Sequence, residues 1–130
     1  MSHFSTVKTE LRQREPLVQA LQDLGFPPQQ GAREVRGYRG QTILAELAVE
    51  MPQGGDLGFR WNEARGAYEL VTDLDLWKQP IPIERFLSQL SQRYALNTVL
   101  AETVKEGFEV AEQKTTADGA IELVVTRWDA

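Results

Sequence analysis

At 130 residues, the chain is long enough to bury one hydrophobic core and too short for two comfortable ones. Its 42% hydrophobic and 25% charged residues are typical of a soluble globular domain and argue against extensive disorder. The sequence has no cysteine, which excludes disulfides, thiolate metal sites and cysteine nucleophiles.

The net charge of −5 is unevenly distributed along the chain. Residues 1–65 carry eight Lys/Arg and eight Asp/Glu, whereas residues 66–130 carry six and eleven. An acidic chain repels phosphates on average, so DNA is not an expected partner. The N-terminus has neither a basic start nor an apolar run, and no segment is apolar enough for a membrane span, so the sequence predicts a cytoplasmic protein or its organellar equivalent.

The first quarter of the chain predicts a strand and then a helix. Residues 2–9 are rich in β-branched and aromatic types, which favour a strand. Glu15-Pro16 opens the helix, because proline is tolerated in the first turn and glutamate favours the helix dipole. Its apolar stripe consists of Leu17, Val18, Leu21 and Leu24. Tandem prolines make residues 26–31 a loop.

Residues 35–74 alternate between apolar and polar side chains, interrupted by glycine-rich turns. Residues 33–39 are expected to pair with residues 42–51, and two further strands flank the loop at residues 62–66. Strand 42–51 is expected to bury one face, made of Ile43, Ala45, Leu47, Val49 and Met51. The pattern predicts four neighbouring antiparallel strands with one dry face and one solvated face.

The last third predicts a long helix and a hairpin. Residues 83–106 show apolar spacing of three and four residues up to Tyr94, after which the stripe changes phase. That change indicates either one bent helix or two abutting helices. Residues 108–115 and 120–128 predict a hairpin through the turn Asp118-Gly119.

Together these elements predict the α+β class, with a single domain over residues 1–130 in which helices pack on one face of a mainly antiparallel sheet. A helix followed by glycine, an aromatic residue and two strands occurs in both halves. A duplicated β-α-β-β unit is one interpretation of this echo. A helix that ends in glycine is also common by itself, so both interpretations stay open.

The most suggestive polar group, called the basic cluster here, consists of Arg33, Arg36, Tyr38 and Arg39. Guanidinium groups beside a stacking aromatic ring could hold a phosphate, a carboxylate or unpaired RNA bases. The alternative is an arginine-rich sheet edge that discourages aggregation. No glycine-rich phosphate-binding motif accompanies the cluster.

A second group, called the acidic group here, consists of Asp73, Asp75 and Glu84. Paired carboxylates could bind a divalent cation or act as acid and base, but aspartates at a strand end also cap turns. Among aromatic residues, Trp61 and Trp77 are candidates for partner binding, and both could instead seal the rim of a small core.

Motifs for catalysis are missing from the sequence. The single histidine, His3, cannot form a multi-histidine metal site, and there is neither a nucleophile elbow nor a His-Glu-x-x-His motif. The sequence therefore predicts no catalytic residue, no metal and no cofactor, and it favours a non-enzymatic protein.

Four stretches of the chain together resemble one protein family. They are residues 1–9 (MSHFSTVKT), 35–41 (VRGYRGQ), 91–95 (SQRYA) and 123–128 (LVVTRW). In this order they are similar to the hypothetical chloroplast open reading frame thirty-five family of plastid genomes and cyanobacteria. The resemblance implies a cyanobacterial cytoplasm or plastid stroma and suggests a ferredoxin-type electron carrier as partner. It transfers no catalytic residue and no cofactor.

Three functions follow as hypotheses. The leading one is a non-enzymatic accessory protein that holds a protein partner on a sheet face or at the Arg36/Tyr38 edge. The second is binding of RNA or an anionic ligand through the basic cluster. The third is an enzyme that uses the acidic group, which requires a concave pocket around those residues.

Overall fold

Within residues 4–52, 55–105, 108–115 and 119–127, which the computed structural model describes, the chain forms seven strands and two helices. The elements are β1 (Phe4–Lys8), α1 (Arg14–Asp23), β2 (Gln29–Arg36), β3 (Thr42–Val49), β4 (Leu57–Asn62), β5 (Ala67–Asp73), α2 (Ile83–Lys105), β6 (Phe108–Thr115) and β7 (Ile121–Arg127). Strands β1 to β5 form an antiparallel sheet in the order β1-β5-β4-β3-β2, and β6 pairs with β7 in a separate hairpin. The predicted α+β class is confirmed.

One apolar core lies between the sheet and both helices, and it is called the helix-side core here. Leu21 of α1 and Phe86 of α2 are buried in it together with Phe59 and Leu70 of the sheet. Fully burying a side chain of this size contributes about 1.5–3 kcal/mol. Because both helices share this core, the prediction that they pack on one sheet face is confirmed.

Helix α2 runs without interruption from Ile83 to Lys105, so the change of phase in its stripe does not divide it. Its first half buries Ile83, Phe86 and Leu90, whereas Val99 and Val104 are 48% and 54% exposed. The apolar stripe thus changes phase beyond Tyr94, the last residue of α2 that packs against the helix-side core. Neither described helix is long and apolar enough to cross a membrane.

Two adjacent residues of α2, Arg93 and Tyr94, form hydrogen bonds with the two ends of α1. Arg93 Nε donates to Asp23 Oδ2 at 2.8 Å, and the Tyr94 hydroxyl accepts from the backbone N–H groups of Arg12 and Gln13 at 3.1 and 2.9 Å. Burial alone would raise the pKa of Asp23, but side-chain hydrogen bonds that include Arg93 hold that pKa below its ordinary value. Both ends of α1 are thus tied to one turn of α2.

We expect Tyr94→Phe to lower the free energy of unfolding by about 1 kcal/mol, because the backbone N–H groups of Arg12 and Gln13 lose their common acceptor. Urea denaturation followed by circular dichroism measures the change. The control is Tyr38→Phe, since the Tyr38 hydroxyl makes no hydrogen bond with the described residues. Equal stability of the two variants would contradict this role of Tyr94.

Strand β3 differs from the sequence prediction, because its apolar residues divide between two faces. Leu47 and Val49 lie in the helix-side core, whereas Ile43 and Ala45 pack in a second cluster. The reason is that only residues 47–49 of β3 pair with β4, while the first half of the strand pairs with β2 alone. At the divergence, the Glu46 carboxylate accepts the Trp61 backbone N–H at 2.8 Å. The prediction of a single buried face on this strand is wrong.

In both halves of the chain a helix is followed by a hairpin, but the two hairpins belong to different sheets. Strands β2 and β3 belong to the main sheet, whereas β6 and β7 form their own. The duplicated unit therefore stays a prediction.

Candidate interaction surface

The hairpin formed by β2 and β3 folds over the sheet face opposite the helices. Val35 and Ala45 of the hairpin form an apolar cluster with Val71 of β5. Between them lies Gly58 of β4, where an added Cβ would be only 2.4 Å from Val35 Cγ2 and 2.9 Å from Val71 Cγ2. All of β5 is buried, so the prediction of an open, solvated sheet face is wrong there. Glycine at position 58 leaves room for the side chains of Val35 and Val71 to lie against the β4 backbone.

The hairpin ends in residues 37–41, called the hairpin tip here, and the tip is anchored far from its own strands. Gly37 packs against the Phe4 ring so closely that a Cβ would lie 2.7 Å from Phe4 Cζ. The Tyr38 backbone N–H donates to Asp73 Oδ2 at 3.3 Å. The tip thus contacts β1 and β5, on the far side of the sheet from β2.

Arg36 and Asp56 form the main polar anchor of the hairpin. Arg36 Nε and Nη2 donate to the two Asp56 carboxylate oxygens at 2.8 and 2.9 Å, and the backbone N–H groups of Arg36 and Met51 donate to the same carboxylate at 3.0 and 2.9 Å. Burial would raise the pKa of Asp56, but these hydrogen bonds and the Arg36 charge hold the pKa below its ordinary value of 3.8. Arg36 therefore serves the fold, and its charge is matched inside the protein.

Arg39 is the exposed charge of the hairpin tip. Its φ of 54° places it in the left-handed region, which disfavours residues other than glycine. Its guanidinium carbon lies 5.2 Å from the centroid of the Tyr38 ring, within the range of a cation–π contact. Among the described residues no carboxylate forms an ion pair with Arg39. Tyr38 and Arg39 together present an aromatic ring and an unmatched cation to solvent.

Arg33, the fourth member of the basic cluster, lies lower on β2. Its Nε donates to the Gln30 carbonyl at 3.0 Å, and Arg14 Nε donates to the Gln30 side chain at 3.1 Å. The local register of β2 shifts between Gln30 and Arg33. The structure therefore separates the cluster into an internal ion pair, a strand arginine and an exposed tip.

The two candidate tryptophans are not part of the hairpin surface. The Trp61 ring meets Tyr68 edge to face at 5.1 Å, and Trp77 lies 5.4 Å from Phe86 while its Nε1 donates to a backbone carbonyl. Both are partly buried against the helix-side core, so they seal its rim. The single histidine, His3, and the third tryptophan, Trp128, lie outside the described residues.

The acidic group is divided between a buried and two exposed positions. Asp73 is 1% exposed, and its carboxylate accepts the backbone N–H groups of Tyr38 and Asp75. Asp75 and Glu84 are exposed. Within the described ranges no three His, Cys, Asp or Glu residues are arranged to hold a metal ion. Asp73 acts as an anchor for the hairpin tip and as a cap for the following turn.

Asp56 is the residue that the sequence analysis missed. The available signal was a lone carboxylate directly before the apolar strand Leu57–Asn62. An acid at the start of a buried strand needs a cation, and Arg36 is the arginine of the basic cluster that meets this need.

Comparisons with known proteins relate the whole chain to plastid proteins. A family model described as "Protein of unknown function (DUF1257)" matches residues 20–124. "Uncharacterized protein ycf35" of Pyropia yezoensis is 37% identical over 129 residues, covering 99% of both chains. The protein of the same description from Cyanophora paradoxa is 38% identical over 128 residues, covering 98% of both. No solved structure matched the chain.

Proposed function

Because the chain belongs to this family of plastid and cyanobacterial proteins, we propose that it is a non-enzymatic accessory protein that binds a protein partner through its hairpin tip. The place of action is the cyanobacterial cytoplasm or plastid stroma. The observation that carries the proposal is the pair of Tyr38 and left-handed Arg39.

The strain at Arg39 supports a role outside folding. A left-handed residue with a side chain costs about 1–2 kcal/mol relative to glycine, yet an arginine lies here, next to a glycine with φ of 75°. No hydrogen bond or ion pair of the Arg39 side chain with the described residues offsets that cost. Strained residues that the fold itself does not require are concentrated at functional sites.

The composition of the tip fits a protein interface. Arginine and tyrosine are enriched among the residues that dominate binding energy, and a cation–π pair holds both in one orientation. The unmatched Arg39 charge complements an acidic partner surface. A ferredoxin-type electron carrier is the partner that we propose within this class.

We expect Arg39→Gly to weaken the binding of a ferredoxin-type protein by about tenfold or more while raising the free energy of unfolding by about 1 kcal/mol. Calorimetric titration and urea denaturation measure the two effects. Weaker binding together with higher stability identifies Arg39 as a binding residue. Removing an arginine that the fold requires would instead lower the free energy of unfolding.

The matched control is Arg85→Gln, which removes one exposed arginine from the first turn of α2. If both variants weaken binding equally, the effect is one of net charge and the hairpin tip is not the interface. If neither the ferredoxin-type protein nor any acidic protein binds the unaltered chain, the proposal fails. Binding of labelled single-stranded RNA that weakens as salt rises and disappears in Arg39→Gly would instead establish the nucleic-acid alternative.

A further inference from the structure

Two arginines from separate segments meet at one exposed carboxylate, at the turn between β4 and β5. Arg12 Nη2 lies 2.7 Å from Glu10 Oε2, and Arg65 Nη2 lies 3.4 Å from Glu10 Oε1. The side chains of Arg12 and Arg65 are 52% and 28% exposed, and that of Glu10 is 77% exposed. These three residues are called the arginine notch here.

Backbone carbonyls fix the two guanidinium groups in place. Arg12 Nη1 donates to the carbonyls of Arg65 and Gly66 at 3.0 and 3.2 Å, and Arg65 Nη2 donates to the Thr9 carbonyl at 3.1 Å. These contacts hold both cations whether or not Glu10 is present. Glu10, in contrast, is held in the notch only by exposed ion pairs of the kind that are worth little.

Neither the charge nor the hydrogen-bonding capacity of the notch is fully used. Glu10 supplies one negative charge against two positive ones. Arg65 Nη1 is the buried side-chain nitrogen that finds no acceptor among the described residues. A buried donor without an acceptor is rare in folded proteins, so the hydrogen-bonding capacity of the Arg65 guanidinium is not fully used by the described residues.

We infer that the arginine notch binds a phosphate monoester, and that Glu10 occupies the notch as an internal competitor when the ligand is absent. A phosphate monoester carries close to two negative charges at neutral pH and three acceptor oxygens, so it matches two guanidinium groups in charge and in donor geometry. A carboxylate or a phosphodiester carries a single negative charge and leaves one cation unmatched. This site is separate from the hairpin tip and does not depend on the proposed function.

The test is a titration of the full chain with inorganic phosphate at constant ionic strength, followed by nuclear magnetic resonance of the backbone amides of Arg65 and Gly66. We expect Glu10→Gln to tighten phosphate binding by about threefold to fivefold, because an exposed competing ion pair is removed. Arg12→Gln is expected to weaken binding by about tenfold, because one charge-assisted contact is lost. Arg12 is half exposed, so this variant leaves the core intact.

The control for charge is Glu102→Gln, which removes one exposed carboxylate that pairs with Lys105. Equal gains in Glu10→Gln and Glu102→Gln would mean a general charge effect and would overturn the inference. Equal affinity for acetate and phosphate would overturn the assignment to a phosphate monoester. Absence of shifts at Arg65 and Gly66 at any phosphate concentration would remove the site altogether.

Discussion

Asp56→Ala is expected to lower the free energy of unfolding by about 3 kcal/mol, because it removes the acceptor of four hydrogen bonds at a fully buried position. The guanidinium of Arg36 is half exposed and can turn to water, which keeps the loss below the upper end for buried pairs. The backbone N–H groups of Arg36 and Met51 cannot turn to water in this way, so each loses the acceptor that Asp56 supplies. Urea denaturation at neutral pH measures the loss.

The pH dependence of stability gives an independent check on Asp56. Its folded-state pKa lies below the ordinary value of 3.8, so its contribution is complete above that pH and is lost as the pH falls toward the lowered value. We therefore expect the stability of Asp56→Ala to fall less than that of the unaltered chain as the pH decreases below about 4.

Arg36→Met should reverse the sign of this dependence. It leaves a carboxylate buried without its cation, which raises the pKa of Asp56. Stability of this variant should then increase as the pH falls from 7 toward 5. A flat profile in that interval would mean that Arg36 is not the partner that keeps Asp56 ionised.

Gly58→Ala is expected to lower the free energy of unfolding by about 3 kcal/mol, because the new methyl group would lie 2.4 Å from Val35 Cγ2. Strand glycines without such neighbours behave in the opposite way, since alanine there is favoured by about 0.5–1 kcal/mol. The sign of the change thus reports whether the hairpin packs against β4. Urea denaturation measures it.

The companion variant Val35→Ala removes the atom that the new methyl would meet. We expect the double variant to be at least about 1 kcal/mol more stable than the sum of the two single changes predicts, because residues in contact are not additive. Strict additivity would show that Gly58 and Val35 are not neighbours. A gain in stability from Gly58→Ala alone would show that the hairpin does not cover this face.

Much of the architecture follows from patterns that act over short distances. The spacing of Leu17 and Leu21 gives α1, and the spacing of Phe86 and Leu90 gives the half of α2 that packs on the sheet. Alternation from Leu57 to Asp73 gives β4 and β5 because both strands keep regular pairing throughout. The family resemblance likewise depends on segments that the fold uses, since Arg93, Tyr94 and Gly37 each hold elements together.

The remainder depends on contacts that no local pattern encodes. Alternation in residues 42–51 does not reveal that β3 changes face, because the change arises where its pairing with β4 stops. The two-residue spacing predicts that Arg36 and Tyr38 lie on one face of a strand. In the structure the Arg36 side chain donates to Asp56, and the Tyr38 backbone N–H donates to Asp73. The basic cluster predicted from the sequence is thus divided, because Asp56 pairs with Arg36 while Arg33 and Arg39 stay exposed without an ion pair among the described residues.

The anchoring of the hairpin tip bears on the order in which the molecule assembles. Phe4, Asp56 and Asp73 hold residues that are far from them in sequence, and contacts of large sequence separation form slowly. We therefore expect docking of the tip to follow the alignment of β1, β4 and β5 and to be a late step of folding. Because β2 lies at an edge of the sheet whereas β5 lies inside it, we expect amide hydrogens of β2 to exchange with solvent sooner than those of β5.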